Sequence, residues 1–298
     1  MIARPKPSLQ PTGYGRLRRP WPAGELKRYT ARLTYLHSVA FFVMALVGSS
    51  AMSQPAVVVP FEIVRNFPVV QVQIGDQLVP LLFDLGADDV ALSTDVARSL
   101  QVQLLAETYT LLDVYGKKIE GHKFVIPRME IGSLEFHDVK GTEFAKAPVG
   151  SGHIGVELVK AFRLVLNYKE KTMTLIAPDE PDPARHGCYG TEVSFEHGWA
   201  ATKAATDWGE LVLVWDTGAP MNVIREGVVK ARGIEAGDPT IQSGRFLLGG
   251  TEFGPVRFRS VDFEQPPGVD GFVGYDFFAN HIVCIDFRSE RFLIRTNE

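Results

Sequence analysis

Two short stretches place a lone carboxylate where a core strand should end. Leu81–Ser93 reads LLFDLGADDVALS, with Asp84 between an apolar run and Gly86. Leu211–Arg225 reads LVLVWDTGAPMNVIR, with Asp216 in the same setting before Gly218. By itself an Asp-x-Gly is a turn signal. Two copies of one grammar suggest a pair. Two carboxylates held a few ångströms apart cannot both ionise easily, so one proton is shared and their apparent pKa values separate. Such a pair can hold a water. The ionised member takes the water's proton while the neutral member donates to a carbonyl oxygen, which is general acid–base hydrolysis of an amide without a metal or a covalent intermediate.

The elements that must position the pair are themselves duplicated. Gly152–Leu175, GHIGVELVKAFRLVLNYKEKTMTL, aligns without a gap on Gly271–Ile294, GFVGYDFFANHIVCIDFRSERFLI. Gly152 falls on Gly271, Gly155 on Gly274, Glu157 on Asp276, Asn167 on Asp286 and Tyr168 on Phe287. Upstream, FPVVQVQIGDQLVPLLFD lies over WAATKAATDWGELVLVWD, each reading as strand, turn and a second strand that ends at the aspartate. Gly-Ala, a short apolar stretch and a short helical pattern (TDVARSL, EGVVKAR) follow after one further residue. The chain is thus two copies of a β-rich unit, residues 57–178 and 188–298, joined by a Pro-rich charged linker over 179–187. If the copies pack about a pseudo-twofold axis, strand-end aspartates near it face each other.

Composition is ordinary for a globular chain: 298 residues, 45% hydrophobic and 22% charged, with a net charge of −4. That charge gives no electrostatic case for nucleic acid or an anionic membrane. The two cysteines, Cys188 and Cys284, allow one bridge or two buried thiols. Residues 1–53 stand apart. A basic, Pro-rich region precedes the apolar run Val39–Gly48, which is about half the length that spans a bilayer. With Lys27, Arg28 and Arg32 before it and small residues after it, the run reads as a signal peptide cleaved after Ala51 or Ser53. An uncleaved anchor over residues 39–48 is the alternative. Either way the expectation is a secreted or periplasmic protein. No His or Cys spacing suggests a metal site, and no cofactor is expected.

On these motifs the chain resembles the aspartic proteases, the retropepsin-like and pepsin-like superfamily. WDTGA matches the family's active-site loop, GHIGVELV and GFVGYDFF match its second glycine signature, and the strands after each match those that close a lobe. The resemblance implies an all-β fold of two homologous β-barrel lobes related by a pseudo-twofold, with an active-site cleft between them. It implies that one chain, as a monomer, builds an aspartic endopeptidase dyad from Asp84 and Asp216. The alternative is one site per lobe, completed by a second chain. Gly86, Ala87, Thr217, Gly218 and Ala219 would support the loops, with the glycine turns Gly152, Gly155, Gly271 and Gly274 behind them. The family carries Thr or Ser after each aspartate, to brace one loop against the other. Thr217 can do this and Leu85 cannot, so an impaired, peptide-binding relative is the second reading. The insertion Tyr109–Ile126 reads as a hairpin with its tip near Tyr115–Lys118, a flap over the cleft, with Tyr109 and Tyr115 as candidate flap aromatics. Asp88 and Asp89 read as solvated turn residues, with a role in the cleft as the alternative. The expected partner is a peptide or protein substrate.

Overall fold

The computed structural model describes residues 55–145, 149–196, 200–234, 240–264 and 266–297. The leader and anchor expected over residues 1–53 lie outside these. Among the described residues, no helix is long and apolar enough to cross a membrane.

The described residues form one compact unit, nearly all β. Three strands from each half make one antiparallel bridging sheet, in the order Thr191–Ser194, Arg291–Thr296, His281–Asp286, Arg163–Asn167, Thr172–Ile176 and the first part of Ala56–Val64. Its central pair is Arg163–Asn167 against His281–Asp286, in a register that sets Val165 opposite Cys284. Those two residues are counterparts in the sequence repeat, so the axis relating the halves runs between them. These strands read as continuously apolar because the sheet is covered on both faces. Leu164, Leu166, Val283 and Ile285 point into the main core, while Val165, Ile282 and Cys284 join a smaller apolar cluster on the other side.

Each half then builds its own sheet by the same plan. The strand that ends at the aspartate pairs in parallel with a short glycine-turn strand: Phe83 with Ile154 in the first half, Trp215 with Val273 in the second. A third strand runs antiparallel to the glycine-turn strand, with Ala91 opposite His153 and Val223 opposite Phe272. The helices Thr94–Ser99 and Glu226–Ala231 follow at equivalent places. In the first half, Phe67–Ile74 also pairs with Lys118–Ile131, which closes the sheet on itself. The architecture is therefore two lobes of one β design.

One core runs through both lobes. Trp215 is fully buried, 4.8 Å from the Phe292 ring and 5.1 Å from Phe277, and its indole N–H donates to the Thr202 hydroxyl. Satisfying that donor lets the largest side chain sit in apolar surroundings without an orphaned polar group. The linker is drawn onto the bridging sheet by a disulfide between Cys188 and Cys284, whose Cα atoms are 5.1 Å apart.

Candidate active site

The strand Gln77–Phe83 ends in three fully buried residues, Leu81, Leu82 and Phe83, and delivers Asp84 at its edge. Gly209–Trp215 does the same for Asp216. The glycine-turn strands fix both ends: Asp84 donates its N–H to the Ile154 carbonyl at 3.0 Å, and Asp216 donates to Val273 at 2.9 Å. Each aspartate then accepts from the glycine two residues on, Gly86 to Asp84 Oδ1 at 2.9 Å and Gly218 to Asp216 Oδ1 at 2.7 Å. These backbone bonds aim the carboxylates.

The two loops lie across each other. A Cβ added to Gly86 would come within 2.7 Å of Asp216 Oδ1, and one on Gly218 within 2.5 Å of Asp84 Oδ1. Both positions must be glycine because each is seated on the other loop's carboxylate. The two carboxylates therefore lie at the crossing point of the loops. Burial, then the charge and hydrogen bond of Asp84, push the Asp216 carboxyl well above the ordinary value. The N–H groups of Gly218 and Gly86 pull only partly against this.

Ala87 and Ala219 close the turns, donating to the Asp84 and Asp216 carbonyls at 3.3 and 3.1 Å. Neither side chain can donate to a carboxylate. Their own carbonyls accept from Val156 and Tyr275, just after the glycine turns. Gly155 and Gly274 sit against the backbone of Asp88 and Met221, where any side chain would collide. Gly152 and Gly271 meet the neighbouring strand backbones of Ala91 and Val223 in the same way.

The brace between the loops is one-sided. Thr217 is buried; its hydroxyl donates to the Phe83 carbonyl at 2.7 Å and accepts from the Leu85 N–H at 2.9 Å. Leu85 has no hydroxyl to return the pair of bonds. It is 5% exposed and lies within the main core instead.

The expected hairpin is present as Gln103–Leu112 and Lys118–Ile131, with its turn at Asp113–Lys117, slightly earlier than the sequence suggested. The Tyr109 hydroxyl is committed to the Glu143 carbonyl at 2.5 Å, at the base of the flap. Tyr115 sits at the tip, 62% exposed. The tip also reaches the second lobe, where Glu264 donates its N–H to the Val114 carbonyl. Sequence reasoning passed over three residues near the site. Glu264 is one. Asn66 is another, its side-chain amide donating to the Pro220 carbonyl at 3.0 Å from the opposite lobe. The third is His153, half-buried on the first glycine-turn strand, opposite Leu82 and stacked on Phe144.

Residues 70–158 match a family model described as aspartyl protease. No curated protein matches the chain. A solved structure, described as the crystal structure of aspartic proteinase from Irpex lacteus, is similar with a TM-score of 0.57 at 15% sequence identity, over 82% of this chain and 98% of that chain. At that identity the likeness is one of fold. The resemblance read from the two aspartate loops is borne out by the family match in the first half and by the two-lobed fold across both.

Proposed function

We propose that the protein is an aspartic endopeptidase that hydrolyses peptide bonds with a water activated between Asp84 and Asp216, both supplied by one chain. The observation that carries this reading is the crossed seating of the loops, with each glycine on the other loop's carboxylate. That geometry keeps two acidic groups in contact despite their repulsion. A pair sharing one proton has both a base for water and an acid for the carbonyl oxygen. An extended peptide would lie between the dyad and the flap, its backbone bonded to the hairpin as an added strand.

A second reading is a peptide-binding protein with impaired chemistry, and Leu85 is the observation in its favour. Against it, Thr217 still bonds to backbone groups on both sides of Asp84, Phe83 and Leu85. Export from the cytoplasm is part of the proposal, supported by the basic-then-apolar leader and by the Cys188–Cys284 bridge, a linkage at home in oxidising compartments. Digestion of a peptide library by residues 57–298, compared with Asp216→Asn, tests the proposal. Cleavage by the parent and not by the variant supports it. Peptide capture without cleavage by either supports the binding protein.

A further inference from the structure

The flap is held at its base and at its tip, and by little in between. At the base, the strand Val90–Ser93, which follows the Asp84 loop, pairs with Gly141–Phe144, and Val139–Thr142 pairs with Lys123–Ile126 of the hairpin. At the tip, the Val114 carbonyl accepts from the Glu264 N–H at 2.9 Å. The neighbouring Phe263 belongs to one buried apolar cluster with Ala219 of the Asp216 loop. Contacts therefore run from one dyad loop out along the hairpin and back to the other loop. Between these ends, the strand Gln103–Leu112 is the last in its sheet and contains no buried residue. A segment with so few buried contacts belongs to the low-stability end of a fold, so its ends decide where it rests.

The tip itself is a rigid turn. Asp113 Oδ1 accepts from the N–H groups of Tyr115 and Lys117 at 3.0 and 2.8 Å, and the Asp113 carbonyl accepts from Gly116 at 2.9 Å. Gly116 has a φ of +75°, and a Cβ added there would lie 2.5 Å from Glu264 Oε2. The turn is thus seated on the Glu264 carboxylate as well as bonded to its backbone. A rigid tip moves as a unit, and the break in pairing register between Leu104 and Thr108 gives the hairpin a place to bend.

We propose that this contact is a latch: bonded to Glu264 and seated on its carboxylate, the flap tip shuts the cleft of the free protein, and a peptide enters only when the latch opens. The consequence for substrate rests on the endopeptidase reading. One main-chain hydrogen bond is worth about tenfold in an equilibrium, so the latch favours the shut form without locking it. The apparent affinity for a peptide is then reduced by the fraction of open protein, while the chemical step is not. Glu264 sits in the second lobe and the hairpin in the first, so the two lobes together set how readily the cleft admits a chain.

The test has two arms, both using Glu264→Pro, which has no N–H to donate. Arg225→Lys serves if that variant does not fold, because the Arg225 guanidinium donates to the Phe263 and Glu264 carbonyls and holds the receiving loop. In the first arm, spin labels are placed at Tyr115→Cys on the tip and at Lys230→Cys on the helix Glu226–Ala231 of the second lobe. Cys188 and Cys284 are bridged and take no label. Without peptide, the latched protein should show one main distance, and the unlatched variant a second, longer one. In the second arm, steady-state kinetics use a peptide that the parent cleaves. KM should fall by about fivefold to tenfold in the unlatched variant, with kcat unchanged. A single unaltered distance in a folded variant, or an unmoved KM once the tip is free, overturns the proposal. If no form of the protein cleaves peptides, the endopeptidase reading fails, and the distance arm alone decides whether the tip is latched.

Discussion

Glu264 donates its backbone N–H to the carbonyl of Val114 at 2.9 Å, and this bond ties the tip of the flap to the second lobe. The receiving loop is itself braced. The Arg225 guanidinium donates to the carbonyls of Phe263, Glu264, Pro266 and Val269 at 2.7–3.1 Å and lies 4.4 Å over the Phe263 ring. Arg225→Lys keeps the charge but cannot reach four carbonyls in one plane. Amide exchange at Glu264 should quicken by about tenfold, the equivalent of one hydrogen bond, while the bridging sheet stays protected. Unchanged exchange at Glu264 would show that the latch does not depend on the arginine.

The raised Asp216 carboxyl makes a prediction about stability. Over the interval from the ordinary value of 3.8 up to its own raised value, this group binds more protons in the folded than in the unfolded chain. Stability from this site is therefore present at acid pH and is lost as pH rises through that interval. Asp216→Asn should flatten the decline, so its Tm exceeds that of the parent near neutral pH and the gap narrows towards about pH 4. Parallel Tm curves for the two proteins would contradict the burial of this carboxyl.

Leu85 poses a choice between a missing brace and a filled pocket, and its place in the core decides it. Leu85→Thr removes buried apolar volume and regains at most the pair of bonds that Thr217 makes from the other side. We expect a net loss of about 1–3 kcal/mol on urea denaturation. A more stable variant would mean that the second half of the brace is worth more than the packing.

The Cys188–Cys284 bridge closes a loop of 96 residues in sequence separation. Cys188→Ser or Cys284→Ser should cost about 2–5 kcal/mol, the usual range for a native bridge across a long loop. Reduction of the parent should lower its denaturation midpoint to that of the serine variants. A parent insensitive to reductant would refute the bridge.

Tyr168 buries a phenol among Phe61, Tyr275 and Phe278, and its hydroxyl has no hydrogen-bond partner among the described residues. Its counterpart in the repeat is Phe287. Tyr168→Phe should raise stability by about 1 kcal/mol or more, because an unsatisfied buried hydroxyl is removed and the ring kept. A destabilised variant would place an unseen partner on that oxygen.

What the sequence revealed follows from what its repeat could encode. The strands, the glycine turns and the aspartates were legible because each appears twice in the same order, and chance rarely repeats a chemical grammar. The flap hairpin was legible from alternation and its glycine, although its turn begins at Asp113. Tyr109 was not, since only the fold shows that its hydroxyl is taken by Glu143 across the sheet. Cys188 and Cys284 could not be paired in advance, because their nearness depends on how the linker crosses the bridging sheet. Asn66 and Glu264 escaped for a related reason. Their importance lies in which strand face or which opposite lobe they meet, and periodicity carries no record of contacts between lobes.

The pairing of Val165 with Cys284, each the counterpart of the other, has a consequence for how such a chain can change. A strand that meets its own copy is an isologous contact, the kind two separate half-length chains would use to associate. In an association of identical halves, every substitution appears on both sides of the axis at once. Joining the halves through the linker makes the encounter intramolecular and removes that restriction. Leu85 can then differ from Thr217, and His153 from Phe272. A proton-sharing pair gains from being unequal, and a single chain is free to inherit that inequality one residue at a time.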